Sequence, residues 1–147
     1  MNKNLVPPTD EYIKTLADKQ GLVYSIDKKG NERFYADDGF PIYPPNDGFV
    51  GRPEKVTLKA GGQLVDRYGH PFGSYVCEEG TGYSQRALPK GTKERGYTVF
   101  AIEKDIEDVL EGEIAPWFGE VGGGIQYKLP HDTEFLLDEG YLKKVKP

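Results

Sequence analysis

A chain of 147 residues with 37% hydrophobic, 12% aromatic and 29% charged side chains has the composition of one soluble globular domain rather than of a disordered segment. Its net charge of −5, with no lysine–arginine run interleaved with aromatics, argues against a nucleic-acid partner, whose phosphates would be repelled over most of the surface. The single cysteine, Cys77, excludes an internal disulfide and a cysteine-based zinc site; no apolar run approaches the length of a membrane span or forms a signal peptide's core.

Residues 1–8 read as an extended lead ending in Pro7-Pro8. Thr9 suits a helix N-cap, Asp10 and Glu11 its first turn, and Gly21 its stop, with Tyr12, Ile13 and Leu16 as the apolar face. A hairpin is predicted next, from Leu22–Ile26 and Glu32–Tyr35 around a turn at Asp27–Asn31. Residues 1–40 carry no constellation of reactive groups and read as an extension or linker to a domain at 41–147. Phe40–Phe49, rich in proline and aromatics, is an ordered irregular loop. Lys55–Ala60 alternates polar and apolar residues as a half-buried strand does, and Leu64–Tyr68 reads as the next strand. Gly73, Ser74, Tyr75 and Cys77 are expected in a loop. Strands are predicted at Tyr97–Ile102 and Gly124–Leu129, then a short helix or turn at Phe135–Tyr141 closing at Gly140. Nineteen glycines and eleven prolines favour short strands and loops, so the expected class is α+β with a small, mostly antiparallel sheet.

Gly122-Gly123-Gly124 strips side chains from the backbone just ahead of the last strand. Consecutive glycines serve either a turn with positive φ or a ligand lying close to main chain. The amide of Gln126 is the first polar side chain beyond them. Arg67 and Arg86, near strand ends, suit phosphate because a planar guanidinium pairs with two oxygens at once; a surface salt bridge to one of 24 acidic residues is the ordinary alternative. Tyr75 is equally well a core aromatic with a wet hydroxyl. His70 and His131 match no metal-ligand spacing, and the doublets Asp37-Asp38 and Glu78-Glu79 lack the spacing of a calcium loop. Phosphate-binding loops, dinucleotide fingerprints and nucleophile elbows are absent.

Five short blocks fall in a recognisable order: Tyr43-Pro44-Pro45-Asn46-Asp47-Gly48-Phe49, Asp66-Arg67-Tyr68-Gly69, Arg86-Ala87-Leu88-Pro89, Ile114–Gly119 and Gly122–Tyr127. In these the chain resembles the tuberculosis necrotizing toxin domain family, NAD+ glycohydrolases found at the C-terminal ends of bacterial polymorphic toxins and in secreted fungal NADases. The resemblance covers about residues 40–145. It implies a fold related to ADP-ribosylating toxins, with the sheet forming a cleft, and cleavage of NAD+ or NADP+, as substrate and without a cofactor or metal, to nicotinamide and ADP-ribose.

Carried over by motif, Gln126, Arg67 and Tyr75 are the expected catalytic residues. Arg86, Tyr68, Gly123, Gly124 and Glu120 are expected to bind substrate, the glycines by letting the nicotinamide-ribose lie against main chain. Two positions depart from the family: Thr98 follows Tyr97 where the mycobacterial toxin has a histidine, and Glu120 stands where glutamine is common. The resemblance further implies delivery as the C-terminal part of a larger toxin, action in a target cell's cytoplasm, and a cognate immunity protein. An ADP-ribosyltransferase and a catalytically inactive NAD- or partner-binding module are the alternatives; Gln126, in place of the transferases' usual glutamate, favours water as acceptor.

Overall fold

The computed structural model of the chain describes residues 34, 35 and 40–145. The expected helix after Thr9 and the hairpin up to residue 33 lie outside the described residues. Seven strands follow: β1 Glu54–Leu58, β2 Val65–Tyr68, β3 Tyr75–Glu78, β4 Tyr97–Ile102, β5 Ile106–Glu113, β6 Ile125–Lys128 and β7 Leu142–Lys144. They form one sheet in the order β1-β5-β6-β3-β2-β4-β7, with every neighbouring pair antiparallel. A short helix, α1 at Thr133–Asp138, starts where the Asp132 side chain accepts the Phe135 N–H at 2.9 Å, an N-cap satisfying one of the orphan donors of the first turn.

The α+β, mostly antiparallel architecture is as expected, but three of its strands were not. Tyr75 and Cys77, expected in a loop, lie on β3, between β2 and β6. Val76 and Cys77 are both buried, so β3 shows no apolar–polar alternation, and four residues are too few for period to tell strand from loop. β5 is rich in poor strand formers: Glu107, Asp108, Glu111, Gly112 and Glu113. Pairing with β1 on one side and β6 on the other holds it straight, apart from a register shift opposite Asp108, whose φ of +61° takes up the irregularity. β7 is a three-residue edge strand.

Alternation along the strands sorts side chains onto two faces. On one, Val65, Val76, Phe100, Val109 and Tyr127 pack with Leu136 of α1 into the main core. On the other, Cys77 joins Phe34, Ala87, Ile114 and Trp117 in a smaller cluster. Cross-strand register then draws a row over that second face: Asp66 opposite Cys77, Cys77 opposite Gln126, and Gln126 opposite Gly112. Four strands thereby bring an acid, a thiol and an amide into line.

The glycine triplet leads into β6 by packing backbone on backbone. Gly122 has a φ of +67°, and a β-carbon there would stand 2.7 Å from the Ile114 carbonyl oxygen and 2.8 Å from Pro116 N. One on Gly124 would stand 3.0 Å from the Gln85 carbonyl oxygen. Gly123 N–H donates to Ile114 O at 2.8 Å and Gly124 N–H to Gln85 O at 3.1 Å. Gly122→Ala is therefore expected to destabilise the fold by about 1–3 kcal/mol through overpacking, beyond the left-handed backbone cost. Gly119→Ala, at a φ of +76° but with nothing within 4 Å, carries only the backbone cost and should be the milder change. Urea denaturation of the two variants measures the difference.

Candidate active site

On the second face lies a cavity of about 960 Å³ whose lining includes Asp66, Arg67 and Tyr68 of β2, Tyr75 and Cys77 of β3, Gln126 of β6, and Asp47, Arg86 and Phe118 from loops. Antiparallel pairing of β2, β3 and β6 gathers residues dispersed through the chain; their volume of space suits a ligand of nucleotide size. One side is an aromatic wall. Tyr35 and Tyr43 approach Phe118 at 5.6 and 6.0 Å, and outside the lining the buried Phe34 meets Trp117 edge-on at 5.4 Å. The Trp117 indole N–H donates to Ile42 O at 2.7 Å, tying this wall to the proline-rich loop.

The opposite wall is built on Asp66. Its side chain is fully buried, and its carboxylate meets both Nη atoms of Arg86, at 2.7 and 3.0 Å. It also accepts the Gly80 N–H at 3.1 Å and the Tyr97 hydroxyl at 2.6 Å. Burial and the hydrogen bond to Asp66 raise the Tyr97 hydroxyl far above its ordinary pKa, so it donates as a neutral phenol. Arg86 spends its remaining donors on Thr81 O, from Nε at 3.0 Å and Nη2 at 2.7 Å, and its guanidinium lies over the Tyr68 ring, 4.8 Å from the centroid. Tyr68 in turn contacts the rings of Tyr83 and Tyr97 at 4.9 and 4.7 Å.

The two arginines differ in what they hold. Arg86, with 3% of its side chain exposed, is bound to Asp66 and Thr81 and braces the cavity wall. Arg67 is the more available. Its Nε donates to His70 O at 2.6 Å and Nη1 to Tyr75 O at 2.8 Å, while Nη2 donates to no described residue. Partial burial lowers its pKa, but an arginine remains a cation. Gly73 leaves room for this guanidinium, since a β-carbon there would stand 2.6 Å from it.

Gln126 lies at the end of the cross-strand row, its Nε2 donating to the main-chain oxygen of Asp47 at 2.9 Å. Tyr75 also lines the cavity, its hydroxyl donating to Asp47 Oδ1 at 3.1 Å. Gly123, Gly124 and Glu120 do not line the cavity: the glycines pack against protein backbone, and Glu120 closes a turn by donating its N–H to Trp117 O at 2.8 Å. Thr98 pairs with Arg67 and points away from the face that carries Tyr68 and Tyr97, outside the cavity lining. His70 sits at the rim with its Nδ1 accepting the Phe72 N–H at 3.1 Å, and His131 stacks on Phe135 outside the lining.

Burial pushes the Cys77 thiol up to about 11, which removes the thiolate that a cysteine nucleophile needs. Among the described residues no group of three or more His, Cys, Asp or Glu side chains could hold a metal ion, and no helix is long and apolar enough to cross a membrane. The sequence carried no signal for Lys128, nor for Asp47 or Asp66 beyond their places in motif blocks.

The sequence pattern of the tuberculosis necrotizing toxin family matches residues 57–145. The chain is 33% identical over 123 residues to the conidial surface nicotinamide adenine dinucleotide glycohydrolase of Aspergillus fumigatus, covering 75% of this chain and 52% of that protein. The chain thus spans about half the length of this curated relative. The structure superposes on tuberculosis necrotizing toxin, solved in complex with its immunity factor, with a TM-score of 0.64 over 89% of this chain and 81% of that one at 21% identity. At that identity the likeness is one of fold.

Asp66→Asn strips the charge from a fully buried partner of Arg86 and should destabilise the domain by about 3–5 kcal/mol, read from urea or thermal unfolding. Cys77, the only cysteine, should resist iodoacetamide at pH 8 in folded protein, where about one thiol in a thousand is ionised, and react fully in urea; mass spectrometry counts the adduct.

Proposed function

The chain belongs to the tuberculosis necrotizing toxin family, and we propose that it is an NAD(P)+ glycohydrolase that cleaves the nicotinamide–ribose bond. The observation that carries the proposal is that Arg67, Tyr68, Tyr75 and Gln126 all line one cavity in a fold like that of the solved toxin. The choice of substrate is supported by the matched relative, a nicotinamide adenine dinucleotide glycohydrolase.

The chemistry asks for little acid–base machinery. Nicotinamide is bound to ribose as a pyridinium, so it departs neutral with the bond's electron pair and needs no proton. The ribosyl carbon left behind carries oxocarbenium character and is taken by water, whose proton passes to solvent; NAD+ and water become nicotinamide, ADP-ribose and H+. Arg67 offers its Nη2 edge to the diphosphate, and the faces of Tyr68 and the aromatic wall offer stacking surface. Gln126 presents an uncharged amide to a ribose hydroxyl or to the attacking water, which stabilises a developing cation without opposing it. Arg86 would oppose that cation if it were free, and Asp66 neutralises it. Hydrolysis in place of transfer fits an amide, rather than a carboxylate, at this position.

We assign the chain to delivery into a target cell as part of a larger toxin, with a cognate immunity protein as partner, on the precedent of the neighbour solved with its immunity factor.

Incubation of the purified chain with NAD+ should release nicotinamide and ADP-ribose in equal amounts, followed by chromatography. ADP-ribose attached to protein, seen by mass spectrometry, would instead make it a transferase; tight NAD+ binding without turnover would make it a binding module. Gln126→Ala should lose turnover by at least about 100-fold while keeping its unfolding temperature. Arg67→Ala should weaken substrate binding by about 1.5–3 kcal/mol, the usual worth of a charge-assisted hydrogen bond, seen as a rise in KM.

A further inference from the structure

Asn46, Asp47 and Gly48 occupy left-handed backbone in succession, with φ of +58°, +56° and +82°. A run of this kind persists only where its surroundings over-determine it. Two anchors do so here. Asn46 Nδ2 donates to Phe49 O at 2.9 Å and Gly51 O at 2.7 Å, and the Phe49 ring, 1% exposed, is buried over Gly112, where a β-carbon would stand 2.6 Å from it. The loop is thus pinned onto the strand next to Gln126.

The middle residue has a further attachment of its own. The Asp47 carboxylate takes the Tyr75 hydroxyl on Oδ1 at 3.1 Å and Lys128 Nζ on Oδ2 at 3.0 Å, while its main-chain oxygen takes Gln126 Nε2 at 2.9 Å. Tyr75 and Lys128 are direct cross-strand partners, two pairs along from Cys77 and Gln126 and so on the same face. Strand geometry therefore sets both tethers beside the amide they serve. A carbonyl oxygen can only accept, so the Gln126 nitrogen must face Asp47 and its Oε1 must lie on the other branch of the amide.

We propose that Asp47 is a positioning residue, clamped by Tyr75 and Lys128, that fixes the Gln126 amide so that Oε1 faces the cavity as a hydrogen-bond acceptor. The inference rests on the glycohydrolase reading and deepens it. An amide held this way offers a ribose hydroxyl or water its oxygen. An amide free to flip would turn its N–H groups, the positive end of its dipole, toward the ribosyl carbon as that carbon gains positive charge. The clamp then acts on the chemical step more than on substrate binding, and Tyr75 contributes through Asp47 rather than by touching the reacting atoms. The Asp47–Lys128 pair is half exposed, and such pairs add little stability, which is consistent with a geometric task.

Kinetics with NAD+ on the purified chain and 1H–15N spectra of the Gln126 side-chain amide, identified by its loss in Gln126→Ala, test the clamp together. Tyr75→Phe and Lys128→Met should each lower kcat by about 3–10-fold with KM changed by less than about 2-fold, and Lys128→Arg should restore most of the rate. In substrate-free protein the same two substitutions should move the Gln126 amide resonances toward those of a free glutamine. In a Gln126→Ala background, Lys128→Met should cost nothing more. An unmoved amide signal, a KM rise in place of the kcat loss, or an undiminished Lys128→Met effect in the Gln126→Ala background overturns the clamp. A wild-type chain without NAD+ turnover would overturn the glycohydrolase reading instead, and the amide spectra would still decide whether the clamp exists.

Discussion

The buried ion pair between Asp66 and Arg86 is the constraint from which the rest of the site follows. A carboxylate with no solvent exposure is tolerable only when its charge is paired, and Asp66 draws partners from three separate places: Gly80, Arg86 and Tyr97 on Oδ2, with Arg86 Nη1 also facing Oδ1 at 2.7 Å. These span the whole connection from β3 to the start of β4. Satisfying one buried acid on β2 therefore folds that connection down across the sheet and creates one wall of the cavity. The same arrangement lays Arg86 on Tyr68 and sets Tyr68 against Tyr83 and Tyr97, so the wall presents ring faces instead of charge.

Neutralisation at this wall suits the proposed reaction, whose leaving group already carries the positive charge. Had both motif arginines reached into the cavity, the ribosyl centre would form beside two uncompensated cations. Instead one cation is cancelled, the thiol of Cys77 is held protonated by burial, and the polar group at the end of the row is an amide. On the proposed glycohydrolase reading Arg67 is the cation left for phosphate, steadied by the His70 and Tyr75 carbonyls so that little freedom is lost on binding.

Much of the fold and part of the site can be read along the chain. Alternation identified Lys55–Ala60 as a strand, and the structure has β1 at Glu54–Leu58; the predicted Tyr97–Ile102 is β4. Short strands buried on both faces carry no such period, which is why β3 escaped, and β5 escaped because acid-rich sequence does not announce a strand that only its neighbours stabilise. At the site, Arg67, Tyr68, Tyr75, Arg86 and Gln126 all prove to line one cavity, whereas Gly123, Gly124 and Glu120 do not. The glycine triplet, expected to let a ligand lie against main chain, instead packs on the protein's own backbone at Ile114–Pro116 and Gln85.

By itself the sequence determined the class of the fold, the kind of ligand its motif blocks resemble, and the residues able to hold phosphate or present an amide. Composition, turn chemistry and ordered motifs are local properties, and they survive without coordinates. Only the tertiary structure decided which arginine is free, what the glycines admit, and how Gln126 is held. Those answers depend on partners 20 residues apart for Arg86 and Asp66, and 79 apart for Gln126 and Asp47. They also depend on desolvation: whether a charge is spent in a buried pair or left for a ligand is set by what surrounds it in space, and no spacing along the chain encodes that.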